Sequence, residues 1–308
     1  MAFTRLTGSE LFFSVLDRLA KAALTHSRDA FTGDLLEILE KVLAERPASM
    51  ATINALREIS TYFLENGVDG LAEYIGKVRS NYDAALWKSA EVASRRVESG
   101  DRIFTNSNSL AVRRLLKVLR DQNKDIAVYV SESRPGNEGV LIAEYAESLG
   151  FNVYLMVDSA VRFFVKDIDK VFVGAEAISA NGAVVSKVGT SLVALVAKEA
   201  RKRVFVVAPT MKFSYETIHG ELLKIPEGGI ELITDIEKDR ELPRGFTARV
   251  PLYDVTPAEY VDAVATEYGL VAPQAIPMLL RTLYGTYPPT VASLNDVLVR
   301  LKGGSCSR

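Results

Sequence analysis

The chain has 308 residues, with 37 Lys plus Arg against 39 Asp plus Glu and a formal net charge of −2. At 48% hydrophobic and 25% charged it can bury a sizeable core, more naturally in two domains than one, which excludes disordered and low-complexity classes. The even mixture of charge argues against direct nucleic-acid binding, which needs a basic surplus on one face, and no apolar run reaches the roughly 18 residues of a membrane span.

The single cysteine, Cys306, cannot close an intrachain disulfide, so a reducing cytoplasm is the simplest compartment. His26, His219 and Cys306 are too few and too scattered for a His/Cys metal site. The N-terminus lacks the basic, apolar and small-residue layout of a signal peptide.

From Gly8 to about Glu98 apolar residues recur at three and four, as in Leu11, Phe12, Val15 and Leu19, then Leu35, Leu39 and Val42, then Ile53, Leu56, Ile59 and Phe63. This is helical spacing, broken at Arg46-Pro47, Asn66-Gly67 and Asp69-Gly70, and it predicts an all-helical domain of four to six helices over residues 1–100. From Asp101 short apolar runs alternate with amphipathic stretches. The runs are Arg102–Thr105, Ile126–Val130, Val153–Val157, Lys170–Val173 and Arg203–Val207. The stretches Leu110–Arg120, Val140–Leu149 and Leu192–Arg201 lie between them. The alternation means β-α-β units, since parallel strands need a crossover. The fold class is α/β: a helical N-terminal domain, then a doubly wound, Rossmann-like parallel-sheet domain over residues 101–308. Glu227–Arg249 is polar and aperiodic and reads as a long surface loop, and the tail from Gly303 should fray.

In such a sheet ligands bind outside the carboxyl ends of the strands, where the strand order reverses. The first strand is followed by Asn106, Ser107, Asn108 and Ser109, and the second by Ser131, Glu132, Ser133 and Arg134. The third is followed by Asp158-Ser159, the fourth by Gly174-Ala175-Glu176, and the fifth by Pro209-Thr210 with Lys212 just beyond. Hydroxyls, amides, carboxylates and cations on one edge compose a pocket for a phosphorylated, polyhydroxylated small molecule. Each piece also has a plainer reading. Asn106–Ser109 suits a helix cap, as does Asp158-Ser159; Arg134 suits a surface pair with Glu132 or Glu138, and Lys187 a solvated turn. Neither common phosphate-binding glycine signature is present, which disfavours nucleoside triphosphates and dinucleotides, and no cofactor is expected.

Several ordered segments resemble one family. They are Phe104-Thr105-Asn106-Ser107-Asn108-Ser109, Ser131-Glu132-Ser133-Arg134-Pro135, and Val173-Gly174-Ala175-Glu176 through Asn181-Gly182 to Ser186-Lys187-Val188-Gly189-Thr190. To these is added Tyr253-Asp254-Val255-Thr256-Pro257 through Asp262. Together they look like the translation initiation factor 2B alpha/beta/delta family, whose superfamily includes isomerases of methylthioribose 1-phosphate and ribose 1,5-bisphosphate. The resemblance is close over residues 100–273 and looser over the helical half.

The resemblance implies a catalytic Cys after Thr-His behind the first strand and a catalytic Asp in Gly-Ala-Asp behind the fourth. Here Ser107 and Glu176 stand in those places. A thiol, with a reference pKa of about 8.5, trades a proton near neutrality and a serine hydroxyl does not readily do so. Glu176 carries its carboxylate on the order of 1 Å further, a displacement that can cost roughly 100-fold in an oriented site. The family's Arg-Gly-Ala-Gly loop has its nearest counterpart in Thr7-Gly8-Ser9-Glu10, which lacks the Arg. Arg46, Arg134, Asn181 and Lys187 persist as ligand-binding candidates beside Asn106–Ser109 and Glu176.

Read this way, the resemblance implies a non-catalytic regulatory subunit. It would bind translation initiation factor 2 or related subunits and keep a sugar-phosphate or nucleotide pocket. The alternative is an aldose–ketose isomerase acting on ribose 1,5-bisphosphate or methylthioribose 1-phosphate. It also implies a homodimer, with Leu252, Tyr253, Val255 and Tyr260 on the interface or at an ordinary edge of the core.

Overall fold

A computed structural model describes residues 7–220, 223–233, 245 and 247–303. Helix α1 (Gly8–Thr25) opens on a capping box: the Thr7 hydroxyl accepts from Glu10 N at 3.3 Å, and the Glu10 carboxylate accepts from Thr7 N at 2.8 Å. Its Leu11, Phe12, Val15, Leu16 and Leu19 form one buried stripe. Helices α2 (Arg28–Glu45), α3 (Met50–Asn66) and α4 (Leu71–Ser94) complete the helical half, four helices among the described residues. Gly67, at φ +70°, ends α3 in a backbone conformation that side chains disfavour.

The second half begins with β1 (Arg102–Thr105), α5 (Leu110–Asp121), β2 (Ala127–Ser131), α6 (Glu138–Ser148), β3 (Asn152–Met156), α7 (Val161–Phe164) and β4 (Lys170–Val173). Then come β5 (Ala177–Ile178), β6 (Val184–Lys187), α8 (Thr190–Glu199), β7 (Arg203–Val207), β8 (Glu227–Gly228), β9 (Val250–Pro251) and β10 (Tyr253–Thr256). The described chain closes with β11 (Ala263–Thr266), β12 (Gly269–Val271), α9 (Ile276–Tyr284) and α10 (Leu294–Leu301). The main sheet runs β12-β11-β7-β4-β1-β2-β3, with only β12 antiparallel. Its parallel strands, numbered among themselves, take the order three-two-one-four-five-six, so strand order reverses between β1 and β4.

Alternation along the strands divides the core. Phe172, Phe205 and Val207 face the cluster that contains α5, α6 and the helical half. Val171, Val173, Val204 and Val206 face the cluster under α7, α8 and α9. Helix α4 lies along α5 and β11, and α10 returns to pack on α3. Among the described residues no helix is long and apolar enough to cross a membrane.

The five strands read from the sequence are present within a residue at either end. The smaller antiparallel sheet β10-β6-β5 is additional to that reading. It pairs Tyr253 with Lys187 and Asp254 with Ser186, joining two of the segments that carry the family resemblance. The Glu227–Arg249 loop is pinned at its base, where β8 pairs with β9 and Arg249 bonds the Glu227 carboxylate. Residues 234–244 and 246 of that loop, and the tail from residue 304 with Cys306, lie outside the described residues.

Two local constraints are open to test. A Cβ on Gly139, in the first turn of α6, would lie 1.8 Å from the Ser131 carbonyl oxygen, a backbone atom with little freedom to move. Gly139→Ala is expected to cost on the order of 1–3 kcal/mol in urea unfolding, and a native-like midpoint would contradict this close approach of helix and strand.

Asp254 accepts from Gly189 N at 2.8 Å and Ser191 N at 3.1 Å, capping α8 from a neighbouring strand, while its Oδ1 is buried without a partner. Burial pushes its carboxyl up from 3.8 to about 6, against the pull of the two N–H groups. Below 3.8 the group is protonated whether folded or unfolded; between 3.8 and about 6 the folded chain holds the proton more tightly. Stability therefore falls as pH rises through that window, and the cost persists above it. Asp254→Asn keeps one acceptor oxygen; it is expected to flatten the slope and gain about 1–2 kcal/mol at pH 7, after allowance for partial exposure. Unfolding at pH 4 and pH 7 measures this, and an unchanged slope in the variant would refute it.

Candidate active site

The carboxyl ends of β1 and β4 meet at the reversal point. Gly174 makes this possible, because a Cβ there would fall 2.2 Å from Ser109 Oγ. Beyond β1 the chain turns through Ser107 at φ +57°, whose N–H donates to Ser133 Oγ at 2.7 Å. Ser133 is itself at φ +65°, and Asp158 accepts from Ser133 N at 2.9 Å and Arg134 N at 2.7 Å. Two non-glycine residues in the left-handed region, each held by a neighbouring turn, are strain of the kind that collects at binding sites.

Asn106 is buried and donates to Thr190 Oγ1 at 2.9 Å, tying β1 to the start of α8. Ser109 occupies the cap position of α5 without making the side-chain cap bond. Asn108 is buried with Oδ1 unpartnered, so the row after β1 is not simply a helix cap.

Glu176 leaves β4 and meets the helical half. Its carboxylate accepts from Gly8 N at 3.1 Å and Ser49 Oγ at 3.1 Å, and lies 3.6 Å from the Arg46 guanidinium. A Cβ on Gly8 would stand 2.3 Å from that carboxylate, so this glycine makes room for the longer acid. Glu10 turns back to the N-cap of α1, so its carboxylate serves the helix end. Arg46 is 4% exposed; burial works against its charge, but Glu176 and then Tyr253 outweigh that and raise its pKa. The guanidinium carbon lies 5.9 Å from the Tyr253 ring centre.

Lys212, from the turn after β7, is 4% exposed and donates to the Ala175 carbonyl. Burial lowers its pKa; Glu176 opposes the shift and Arg46 adds to it. The structure thus gathers Gly8, Arg46, Ser49, Glu176, Lys212 and Tyr253. Gly8 and Ser49 carry no chemical signal of their own in the sequence, since one contributes a backbone N–H and the other only a short hydroxyl.

Other candidates are placed differently. Lys187, far from a solvated turn, pairs with Glu138 at 2.7 Å. The Arg134 guanidinium donates to the Leu232 and Ile233 carbonyls at 3.0 and 3.2 Å, reaching the far side of the Glu227–Arg249 loop's base. Asn181 Oδ1 closes the β5–β6 turn by accepting from Ala183 N at 3.2 Å, and it makes none of the contacts that gather around Glu176. Leu252 and Tyr260 are half-buried, and Val255 is exposed. Tyr253 turns its ring to Arg46, which takes that side chain from the expected interface into the site.

A cavity of about 980 Å³ opens between α3, α4 and the ends of β7 and β11. Tyr62, Tyr74, Tyr82, Met211, Glu267 and Tyr284 are among its walls. Met211, next in the chain to Lys212, and Tyr82, whose hydroxyl meets Ser9 Oγ at 2.9 Å, are in its wall, whereas Gly8, Arg46, Ser49, Glu176, Lys212 and Tyr253 are not. Among the described residues no three His, Cys, Asp or Glu side chains gather as a metal ion would need.

Comparison with known proteins bears on what this geometry serves. The chain is 36% identical over 260 residues to the ribose 1,5-bisphosphate isomerase of Methanocaldococcus jannaschii, covering 84% of this chain and 83% of that one. It is 35% identical over 261 residues to the protein of the same name from Archaeoglobus fulgidus, covering 84% and 82%. Its fold matches the translation initiation factor eIF-2B of Pyrococcus horikoshii OT3 with a TM-score of 0.73 at 27% identity, over 87% of this chain and 92% of that one.

These findings overturn the expectation of a non-catalytic regulatory subunit that binds translation initiation factor 2, because archaeal relatives at 31–36% identity over most of the chain are named as isomerases. That expectation gave two substituted positions too much weight. The structure shows a physical reason: Glu176 is received by Gly8, Ser49 and Arg46, so its extra methylene is accommodated. The family model for the Initiation factor 2 subunit family matches residues 10–273, and the chain belongs to that family.

Proposed function

We propose that this protein is an aldose–ketose isomerase of a phosphorylated pentose, with ribose 1,5-bisphosphate as the leading substrate. The observation that carries the reading is the likeness to isomerases of that name across five-sixths of the chain. Its support in the structure is a half-buried carboxylate at the strand-order reversal, paired with the buried Arg46 guanidinium at 3.6 Å.

The chemistry balances without a cofactor. The ring C1–O4 bond opens and O4 takes up a proton, the C2 hydrogen moves to C1, and the O2 hydroxyl loses its proton to become the ketone. O4 takes its proton from solvent water, so one acceptor on the protein suffices for the O2 proton. Glu176 is the acceptor, since it is the carboxylate held at the reversal point by groups from both halves of the chain. Ser107 contributes a hydrogen bond to the sugar without itself ionising, and the N–H to Ser133 fixes where its hydroxyl stands. Arg46, locked in place by Glu176 and Tyr253, adds a fixed positive charge close to the carboxylate.

The same reading places the protein in the cytoplasm, in keeping with its one cysteine, and makes it a homodimer. Val255 is exposed on β10, as are Leu192 and Leu195 on α8 and Tyr154 and Leu155 on edge strand β3, apolar surface that a second copy would cover.

Turnover assays with ribose 1,5-bisphosphate and methylthioribose 1-phosphate decide the matter. Conversion of the first by the native protein is expected, with kcat falling roughly 100-fold or more in Glu176→Gln. No conversion of either sugar by the native protein would sink the isomerase reading. The native mass in solution at micromolar concentration is expected to be that of a dimer, and a monomer would contradict the proposed assembly.

A further inference from the structure

Helix α3 grips two neighbouring turns at the carboxyl edge of the sheet, one after the other. At its start Ser49 Oγ donates to the Glu176 carboxylate at 3.1 Å, and Met50 N donates to the Glu176 carbonyl at 3.3 Å. One turn further on, Asn54 Nδ2 donates to the carbonyls of Met211 at 2.8 Å and Phe213 at 2.9 Å, the residues on either side of Lys212. Strands β4 and β7 are paired neighbours. Four helical residues advance about 6 Å and adjacent strands lie about 4.8 Å apart, so one turn of α3 steps from the turn after β4 to the turn after β7.

Asn54 is 7% exposed, a place where an amide is unfavourable unless its hydrogen bonds are made. Here they are all made: both N–H groups go to the turn after β7, and the oxygen accepts from Arg57, whose guanidinium also pairs with Glu216 beyond the same turn. No side chain of the same shape does this, since an Asp only accepts and a Leu does neither. The bonds within the turn, Lys212 N to Pro209 O at 3.0 Å and Phe213 N to Thr210 O at 2.9 Å, fix its shape but not its distance from α3. The Lys212 ammonium, 4% exposed, then bridges the two turns by donating to the Ala175 carbonyl beside Glu176.

We infer that Asn54 is a positioning residue of this site, setting the turn after β7 against the turn that carries Glu176. It acts through the Met211 and Phe213 carbonyls and not on the sugar. The inference rests on the isomerase reading for the identity of the substrate, whereas the placement of the turn is independent of turnover. Glu176 keeps Gly8, Ser49 and Arg46 when the Asn54 amide is lost, so binding of an anionic sugar at this edge suffers more than proton transfer does.

Asn54→Leu keeps the side-chain volume nearly constant and removes both donors. Two measurements on the full chain test the inference: steady-state kinetics with ribose 1,5-bisphosphate, and the rate at which acetic anhydride acetylates Lys212. Mass spectrometry reads that rate against Lys88 and Lys302, which are exposed. With the turn released, Lys212 is expected to label about tenfold faster relative to those two. KM should rise about tenfold, with kcat changed by less than about threefold. Phe31→Leu, in the helical core beside Phe63, is the control for lost stability. It should melt a few degrees lower and keep the native labelling rate and the native KM.

Native labelling of Lys212 in Asn54→Leu would overturn the inference. So would equal acceleration in Asn54→Leu and Phe31→Leu, which would leave Asn54 as a tie for stability alone. If Asn54→Leu does not fold, Asn54→Asp, the same shape with acceptors only, carries the same comparison. Faster labelling in the variant of a protein that turns over neither sugar would sink the isomerase reading and keep this one. Turnover by the native protein, with labelling and KM unchanged in the variant, would do the reverse.

Discussion

The carboxylate of Glu176 is the point at which the two halves of the chain become one site. It belongs to the turn after β4, yet the groups that receive it are the first N–H of α1, the hydroxyl before α3 and the guanidinium after α2. The backbone repeats the link, since Met50 N donates to the Glu176 carbonyl at 3.3 Å. A helix N-terminus carries partial positive charge, so the α1 end favours an acid there, and Gly8 provides the space for one. Shortening the acid or adding a methyl at Gly8 would disturb the placement of the helical half as well as the chemistry.

The identity of the acid and the identity of the residue behind β1 have to be weighed together. A serine at position 107 removes a group that titrates near neutrality, and a glutamate at 176 keeps a carboxylate held by Gly8, Ser49 and Arg46. Taken as isolated exchanges they read as two losses. Within the structure they read as a shift of proton-handling toward the carboxylate, with the hydroxyl left to hydrogen-bond. Gly8, Ser49 and Arg46 form a receptor that fits the longer side chain, and such a receptor would have little purpose if the acid were vestigial.

Much of this was legible in the sequence because a parallel sheet writes itself plainly. Its strands are short apolar runs such as Lys170–Val173, where Val171 and Val173 face one core and Phe172 the other, and amphipathic stretches of fixed length separate them. The polar residues at the carboxyl edge followed from topology. What escaped the reading was whatever depends on contact between distant segments. The sheet β10-β6-β5 has a strand of two residues, too short to show a period. The pairing of Lys187 with Glu138 spans 49 positions. Tyr253 sits among residues that look like an edge, but Asp254 and Thr256 turn to α8 and the core, leaving Tyr253 and Val255 on the other face. Arg46 covers the first of these, while the second stays bare.

Electrostatic composition then separates this site from a merely structural ion pair. A buried pair stabilises little, because desolvation of both partners offsets most of the attraction, and its common form is one cation to one anion with every donor engaged. Lys187 and Glu138 form such a one-to-one pair at the edge of the cluster. Around Glu176 the arrangement differs: Arg46 lies 3.6 Å from the acid, and a second buried cation, Lys212, is held by the Ala175 carbonyl. Folding alone gives no reason to bury the second cation, since an apolar side chain in its place would avoid the desolvation cost. On the proposed isomerase reading, that second cation belongs with what the site binds. On that reading, buried positive charge would favour a strongly anionic substrate, as a sugar carrying two phosphates is, over an uncharged sugar of the same shape.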